Sequence, residues 1–276
     1  MDIPLIVHWK KNLSGKNPTI RGFAICPAES AAQRLFQLRS LRFTFHASTE
    51  PNQPATVRTM DANRLIDGLI MYIGFVILLT FHEFGHAWMA LKCGDDTAQS
   101  EGRVSLNPLV HMDLIGTVLI PGAALFMMAT GAIGTGFLIG WARPVPVNPN
   151  NLRNPRLDDI LITLAGPWMN VLLAVALVGL ARVGIMANVP EMTATCNSMA
   201  LLSLFLCFFN LLPIPPLDGS HIFRSLMNIS YDAYYSFARY GFLILIVVMQ
   251  ISWVQIILGT LTYASWGTLA RWFGVY

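Results

Sequence analysis

The sequence predicts an all-α polytopic membrane protein with about five to six membrane segments, one of them re-entrant or broken, and a short strand at the membrane edge. Three observations lead there. Hydrophobic residues make up 54% of the 276-residue chain. Charged residues make up 12%, about half the usual share of a soluble domain. Five apolar runs, at 65–91, 114–141, 158–182, 196–213 and 240–270, approach or exceed the roughly 20 residues with which a helix crosses a bilayer. A soluble helical protein would need far more charge on its outer faces. The lipid bilayer is therefore an expected partner. The formal net charge of +3, with no basic stripe and no repeat, makes no case for nucleic acid. Cys26, Cys93, Cys196 and Cys207 are scattered, form no C-x-x-C pair and read as apolar fillers.

Residues 1–59 differ from the rest. They carry eight Lys/Arg against three Asp/Glu and no run long enough to span. Arg-rich, acid-poor FAICPAESAAQRLFQLRSLRFTF has the composition of a targeting peptide. The favoured reading is that the natural chain begins at Met60. The expectation is a poorly ordered extension over 1–59 and one catalytic domain over 60–276.

The run 65–91 contains FHEFGH, at 81–86. On a helix His82 and His86 lie on one face, one turn apart, and can direct imidazole nitrogens at one metal ion. Glu83 is rotated by about 100° from His82, beside the metal, where it can take a proton from water. Zinc suits nitrogen and carboxylate ligands with a position left open for water. Ionisable groups at membrane depth cost at least roughly 2.5–3.5 kcal/mol each and mark function. Gly85 admits a close neighbour, either to the metal or as another helix.

The run 114–141 is bounded by loops rich in Lys and Arg: Lys92 and Arg103 before it, Arg143, Arg153 and Arg156 after it. Positive charge biases both to the cytoplasm. One full crossing cannot join two loops on one side, so a hairpin or broken pair is expected, with Gly116, Gly122, Gly131, Gly134, Gly136, Gly140 and Pro121 as its breaks. In ARPVPVNP, Pro144 and Pro146 strip donors from one strand edge while Val145 and Val147 keep them on the other. That edge could hold an unwound substrate by strand addition.

Beyond the run 158–182, loop 183–195 has no Lys or Arg and reads as external. The run 196–213 ends in FFNLLPIPPLDGSH. Pro213, Pro215 and Pro216 cannot continue a regular helix, and irregular backbone at depth is tolerated where it is buried in protein or lines a cavity. Asp218 sits in that opened stretch, followed by Gly219, which permits an unusual backbone angle. Asp218 is the best-placed third ligand. Asp113, His111 and His221 also lie near segment ends, and Asp218 could instead cap a helix starting near Ser220. Loop 214–239 carries Arg224 and Arg239 and returns to the cytoplasm; 240–270 is one tilted span or a short hairpin.

With these motifs in order, the sequence resembles the site-2 proteases, intramembrane zinc metalloproteases, and most closely the short members without PDZ or CBS domains. The likeness rests on FHEFGH, GRVSLNPLVHMDLIGT (102–117), WARPVPVNP (141–149), AGPWMN (165–170) and FNLLPIPPLDG (209–219), and covers about 65 to 225. It implies His82, His86 and Asp218 as ligands of Zn2+, Glu83 as general base, and Asn210 as a hydrogen-bond donor to substrate or oxyanion. Asn170 is implied as a structural or substrate-binding residue. His111 and Asp113 are expected to organise a surface loop. One departure is that many members carry a further span before the H-E-x-x-H helix, and the upstream 64 residues offer none. The function implied is a zinc-dependent endopeptidase hydrolysing transmembrane protein substrates, in the plasma membrane, with its site toward the cytoplasm. A metal transporter or sensor would need ligands stacked along a path, and a helix-binding relative without activity would not need Glu83. The oligomeric state is left open.

Overall fold

The computed structural model describes residues 62–130 and 140–275. The extension expected over 1–59, Cys26 and three of the expected breaks, Gly131, Gly134 and Gly136, lie outside the described residues.

Helix α1 (Ala62–Cys93) runs through the whole of the first apolar segment. Ile66, Ile70, Ile73 and Ile77, spaced by three and four, form an exposed stripe, whereas Phe75, Leu78, His82 and Ala87 are buried. One helix thus presents a lipid-type face and a protein face. It stops at Gly94, whose φ of +105° an L side chain rarely adopts. The Asp95 amide donates back to the Ala90 carbonyl (3.0 Å).

After the short α2 (Thr97–Ser100) the chain reaches the second apolar run. Asp113 caps its start, accepting from the Ile115 (3.0 Å) and Gly116 (2.7 Å) amides. A π-helical turn, Leu114–Leu119, leads into α3 (Ile120–Ala129). When the chain is next described, at Gly140, it is back at its point of departure. The Trp141 amide donates to the Gly116 carbonyl (3.2 Å) and the Thr117 hydroxyl to the Trp141 carbonyl (2.7 Å). Met112 and Ala142 form an antiparallel bridge. In ARPVPVNP (142–149), where a strand was expected, the structure has an isolated bridge and no strand. Its pairing there is that bridge, with the Arg143 amide donating to the His111 carbonyl (2.9 Å); the amides of Val145 and Val147, on the same edge, have no backbone partner among the described residues.

Helix α4 (Pro155–Met186) and helix α5 (Pro190–Asn210) form a tight hairpin turning at Ala187–Val189. The external loop expected over 183–195 shrinks to three residues because both helices extend into it. Their seam is built from small residues: Ala174, Ala181 and Ala200 are fully buried beside Val178, and small side chains let helix backbones approach where lipid supplies no hydrophobic drive. Gly85 does the same for α1 and α4, since a Cβ there would lie 2.7 Å from the Ala165 carbonyl.

The stretch expected as loop 214–239 contains α6 (Asp218–Met227) and α7 (Tyr231–Ala238). Arg224 pairs with Asp159 of α4 at 2.8 Å, both buried, and this pins α6 to α4. The run 240–270 is broken into α8 (Gly241–Met249) and α9 (Ser252–Phe273).

Among the described residues the regular elements are all helices, and three are long and apolar enough to cross a membrane: Leu65–Cys93, Pro155–Met186 and Pro190–Asn210. The pair α7–α8, bent by 58°, would make a fourth. Five to six were expected. The difference lies in the run 114–141, which doubles back, and in α9, which has the length but carries Gln255, Thr260, Thr262, Ser265 and Thr268.

Candidate metal centre

His82 and His86 project from α1 toward α4, both buried. Their Nε2 atoms lie 3.1 Å apart. Asp218, the first residue of α6, brings its Oδ2 to 3.1 Å from His82 Nε2 and 3.4 Å from His86 Nε2. A tetrahedral ion with bonds of about 2.0–2.1 Å holds its ligand atoms roughly 3.3 Å apart. The three atoms already have that spacing. Asp218 Oδ2 is buried and has no other partner, which would be costly in a site meant to stay without a cation. Among the described residues these three are the one group of His, Cys, Asp and Glu close enough to hold a metal.

The opposite ends of the imidazoles are also engaged. His86 Nδ1 lies 2.7 Å from the Ile162 carbonyl and His82 Nδ1 lies 3.1 Å from the Asn170 side-chain nitrogen. A carbonyl oxygen only accepts, so His86 carries a proton on Nδ1, as an imidazole that ligates through Nε2 must. Zinc fits this donor set.

Space for the centre comes from glycines. A Cβ on Gly166 would collide with His86 Nε2 and Cε1 and with His82 Cε1. A Cβ on Gly219 would strike the Leu211 backbone where α5 ends. Gly219 is thus needed for close approach, and its φ is not positive; the unusual angle expected there does not occur. Asp218 makes no capping hydrogen bond, and its carboxylate turns to the histidines instead.

The other candidates stand apart. Asp113 caps the π-helical turn and His111 Nε2 lies 2.8 Å from the Ser105 carbonyl, both as loop organisers. His221 packs on the Tyr234 ring. Asn210 donates to the Leu206 carbonyl of its own helix (2.9 Å). Glu83 follows His82 on α1 and makes no hydrogen bond or ion pair among the described residues. Gly166, the Ile162 carbonyl and the contact of Asn170 with His82 were not read from the sequence. The available signal was AGPWMN, where Gly166 and Asn170 stand four residues apart on one helix face. Cys93, Cys196 and Cys207 are free thiols.

The chain matches the description "Peptidase family M50" over residues 70–192 and 180–249, more than half of its length. It belongs to peptidase family M50. Two relatives share the printed name "Putative zinc metalloprotease". YwhC of Bacillus subtilis (strain 168) is 38% identical over 188 residues, 64% of this chain and 78% of the relative. Rip2 of Mycolicibacterium smegmatis is 30% identical over 182 residues, 66% of each chain. No solved structure matches. This M50 chain is a zinc metalloprotease of the site-2 type and an integral membrane protein.

Proposed function

We propose that the protein is an intramembrane endopeptidase that hydrolyses peptide bonds of membrane-embedded protein substrates. The observation that carries this is the position of the ligand trio. His82 stands eleven residues before the end of the span Leu65–Cys93, about 16 Å of helix, so a centre built on it lies at membrane depth rather than in a loop.

His82, His86 and Asp218 would hold a zinc ion, which would supply a Lewis acid for water and for the scissile carbonyl. Glu83 accepts the proton of the attacking water on its carboxylate and passes it to the leaving amine. Asn210, at the end of α5, turns its amide from Leu206 to the substrate. An apolar cleft of about 430 Å³ beside the ligand helix, lined by Gly85, Trp88, Leu164, Trp168, Met169 and Cys207, suits the side chains of a hydrophobic substrate. The extended stretch after Ala142 offers the amides of Val145 and Val147, which have no backbone partner among the described residues, to an unwound substrate. The run 114–141 enters and leaves on one side, the basic loops lie in the cytoplasm, and the protein resides in the plasma membrane with its centre toward that face.

The test is a comparison of membrane-protein fragments in cells carrying wild type or Glu83→Gln. A fragment present with wild type alone, with zinc retained in the variant, is the expected result. Identical fragments in both would sink the protease reading in favour of a helix-binding or metal-transport role.

A further inference from the structure

Three positions on α4, spaced by four, address the two imidazoles in turn. The Ile162 carbonyl holds His86 Nδ1 at 2.7 Å. Gly166 leaves the room that both rings occupy. Asn170, fully buried, meets His82 Nδ1 at 3.1 Å. Residues four apart stack along one helix face, so one stripe of α4 lies against both histidines.

Asn170 can meet His82 in two ways, exchanged by a half-turn of its amide. If the amide nitrogen donates, His82 Nδ1 is bare and the proton sits on Nε2, the atom that faces His86 and Asp218. That proton would lie where a metal must bind. If the amide oxygen accepts, the proton sits on Nδ1 and Nε2 is bare, matching His86. In either orientation one amide atom lacks a partner: the oxygen in the first, which is buried and unpaired, or the nitrogen in the second. A count of hydrogen bonds therefore does not choose between them. The zinc site does: Nε2 of His82 lies 3.1 Å from Nε2 of His86 and from Asp218 Oδ2, and a metal held among these atoms requires that this Nε2 carry no proton.

We propose that Asn170 is a positioning residue for the metal centre: its amide oxygen accepts the Nδ1 proton of His82 and so holds that imidazole in the tautomer that ligates through Nε2. Its own place is fixed from the next helix. The Ser203 hydroxyl on α5, also fully buried, donates to the Asn170 main-chain carbonyl (2.7 Å). Helix α5 thus steadies α4 at the level where α4 steadies α1. Outer partners of this kind fix ring orientation and raise the basicity of the ligating nitrogen.

The inference rests on the zinc site read above, and zinc affinity separates the two. Zn2+ is titrated into the purified full chain against a chromophoric chelator, for wild type, Asn170→Leu and Asn170→Asp, with helix content followed in each. Asn170→Leu keeps the volume and removes the acceptor, and should weaken zinc by about 10–100-fold. Asn170→Asp restores an acceptor oxygen and should bind zinc at least as tightly as wild type. If the leucine variant does not fold, Asn170→Ala takes its place with the same expected loss. Wild-type affinity in the leucine or alanine variant would overturn the proposal. So would an aspartate variant as weak as the leucine, since a shape-only role is indifferent to the acceptor. A wild-type chain that holds no zinc would overturn the site itself and this inference with it.

Discussion

Asp218 is the residue that completes the candidate centre. Two imidazoles from one helix leave a zinc ion short of ligands, and catalytic sites supply three protein ligands. Asp218 Oδ2 sits within 3.4 Å of both Nε2 atoms and has no other partner. Asp218→Ala should therefore weaken zinc by more than the roughly 100-fold that outer-partner losses reach, and abolish cleavage. Asp218→Asn, which keeps the shape and loses the charge, should impair both. Asp113→Ala is the control: its carboxylate caps the π-helical turn, so the loss should be about 0.5–2 kcal/mol of stability with zinc stoichiometry unchanged. Metal analysis of the purified variants reads the difference, and zinc lost from Asp113→Ala but kept by Asp218→Ala would reverse the assignment.

Two buried carboxylates outside the centre hold the elements that shape it. Asp95, fully buried just past α1, accepts from Thr97 and from the Asn148 amide (2.7 Å) and Asn151 side chain (3.0 Å). It ties the end of the ligand helix to the loop that enters α4. Burial pushes its carboxyl up, but the hydrogen bonds from Thr97, Asn148 and Asn151 outweigh this and leave it below its usual value. A depressed pKa stabilises the fold above the unfolded value, about 3.9, and that stability is lost as pH falls through the folded value. Stability should thus fall more steeply below about pH 4 in wild type than in Asp95→Asn, as followed by thermal unfolding; equal slopes would remove Asp95 from this role. Asp159 anchors the other ligand-bearing helix through Arg224 and Ser225. Arg224→Met would strand a buried carboxylate at a cost of about 3–5 kcal/mol and loosen α6 and Asp218 with it. Replacing both partners, with Asp159→Leu added, should recover much of the loss; a double variant no better than the single would show that the pair itself is not what matters.

At the scale of the molecule, the chain's return to its starting point after the second apolar run decides the topology. Met112 bridges Ala142, and Trp141 bonds to Gly116, so the two flanking loops meet. Cysteines introduced at Leu106 and Asn150, both exposed, should label from the same side in intact cells, and opposite sides would refute a re-entrant run. The described helices and the centre they carry all lie after residue 61. A chain starting at Met60 should insert and bind zinc as the full chain does, and loss of zinc on truncation would refute the assignment of the catalytic domain to 60–276.

The sequence by itself determined what local spacing encodes. An apolar run of the right length makes α1 a span, and i, i+4 spacing puts His82 and His86 on one face whatever surrounds them. The prolines at 213, 215 and 216 end α5 near Asn210 for an equally local reason. Among Asp218, Asp113, His111 and His221 the same rule favoured Asp218, in the stretch that the prolines open, but left it able to cap a helix instead; the likeness to a family then implied it as the ligand. The tertiary structure decided the rest. Which remote face meets the imidazoles depends on how α1 packs on α4, and that follows from the fit of whole helix surfaces at Gly85 and Gly166. Asn170 is 88 residues from His82, and no periodicity links them. Gly219 was expected to permit an unusual backbone angle, but glycine serves both uses, and only the nearness of the Leu211 carbonyl separates a need for space from a need for an angle. Whether ARPVPVNP (142–149) acts as a strand lay beyond the sequence for the same reason: a ladder requires a partner edge, and a partner is not a property of the residues that would form it.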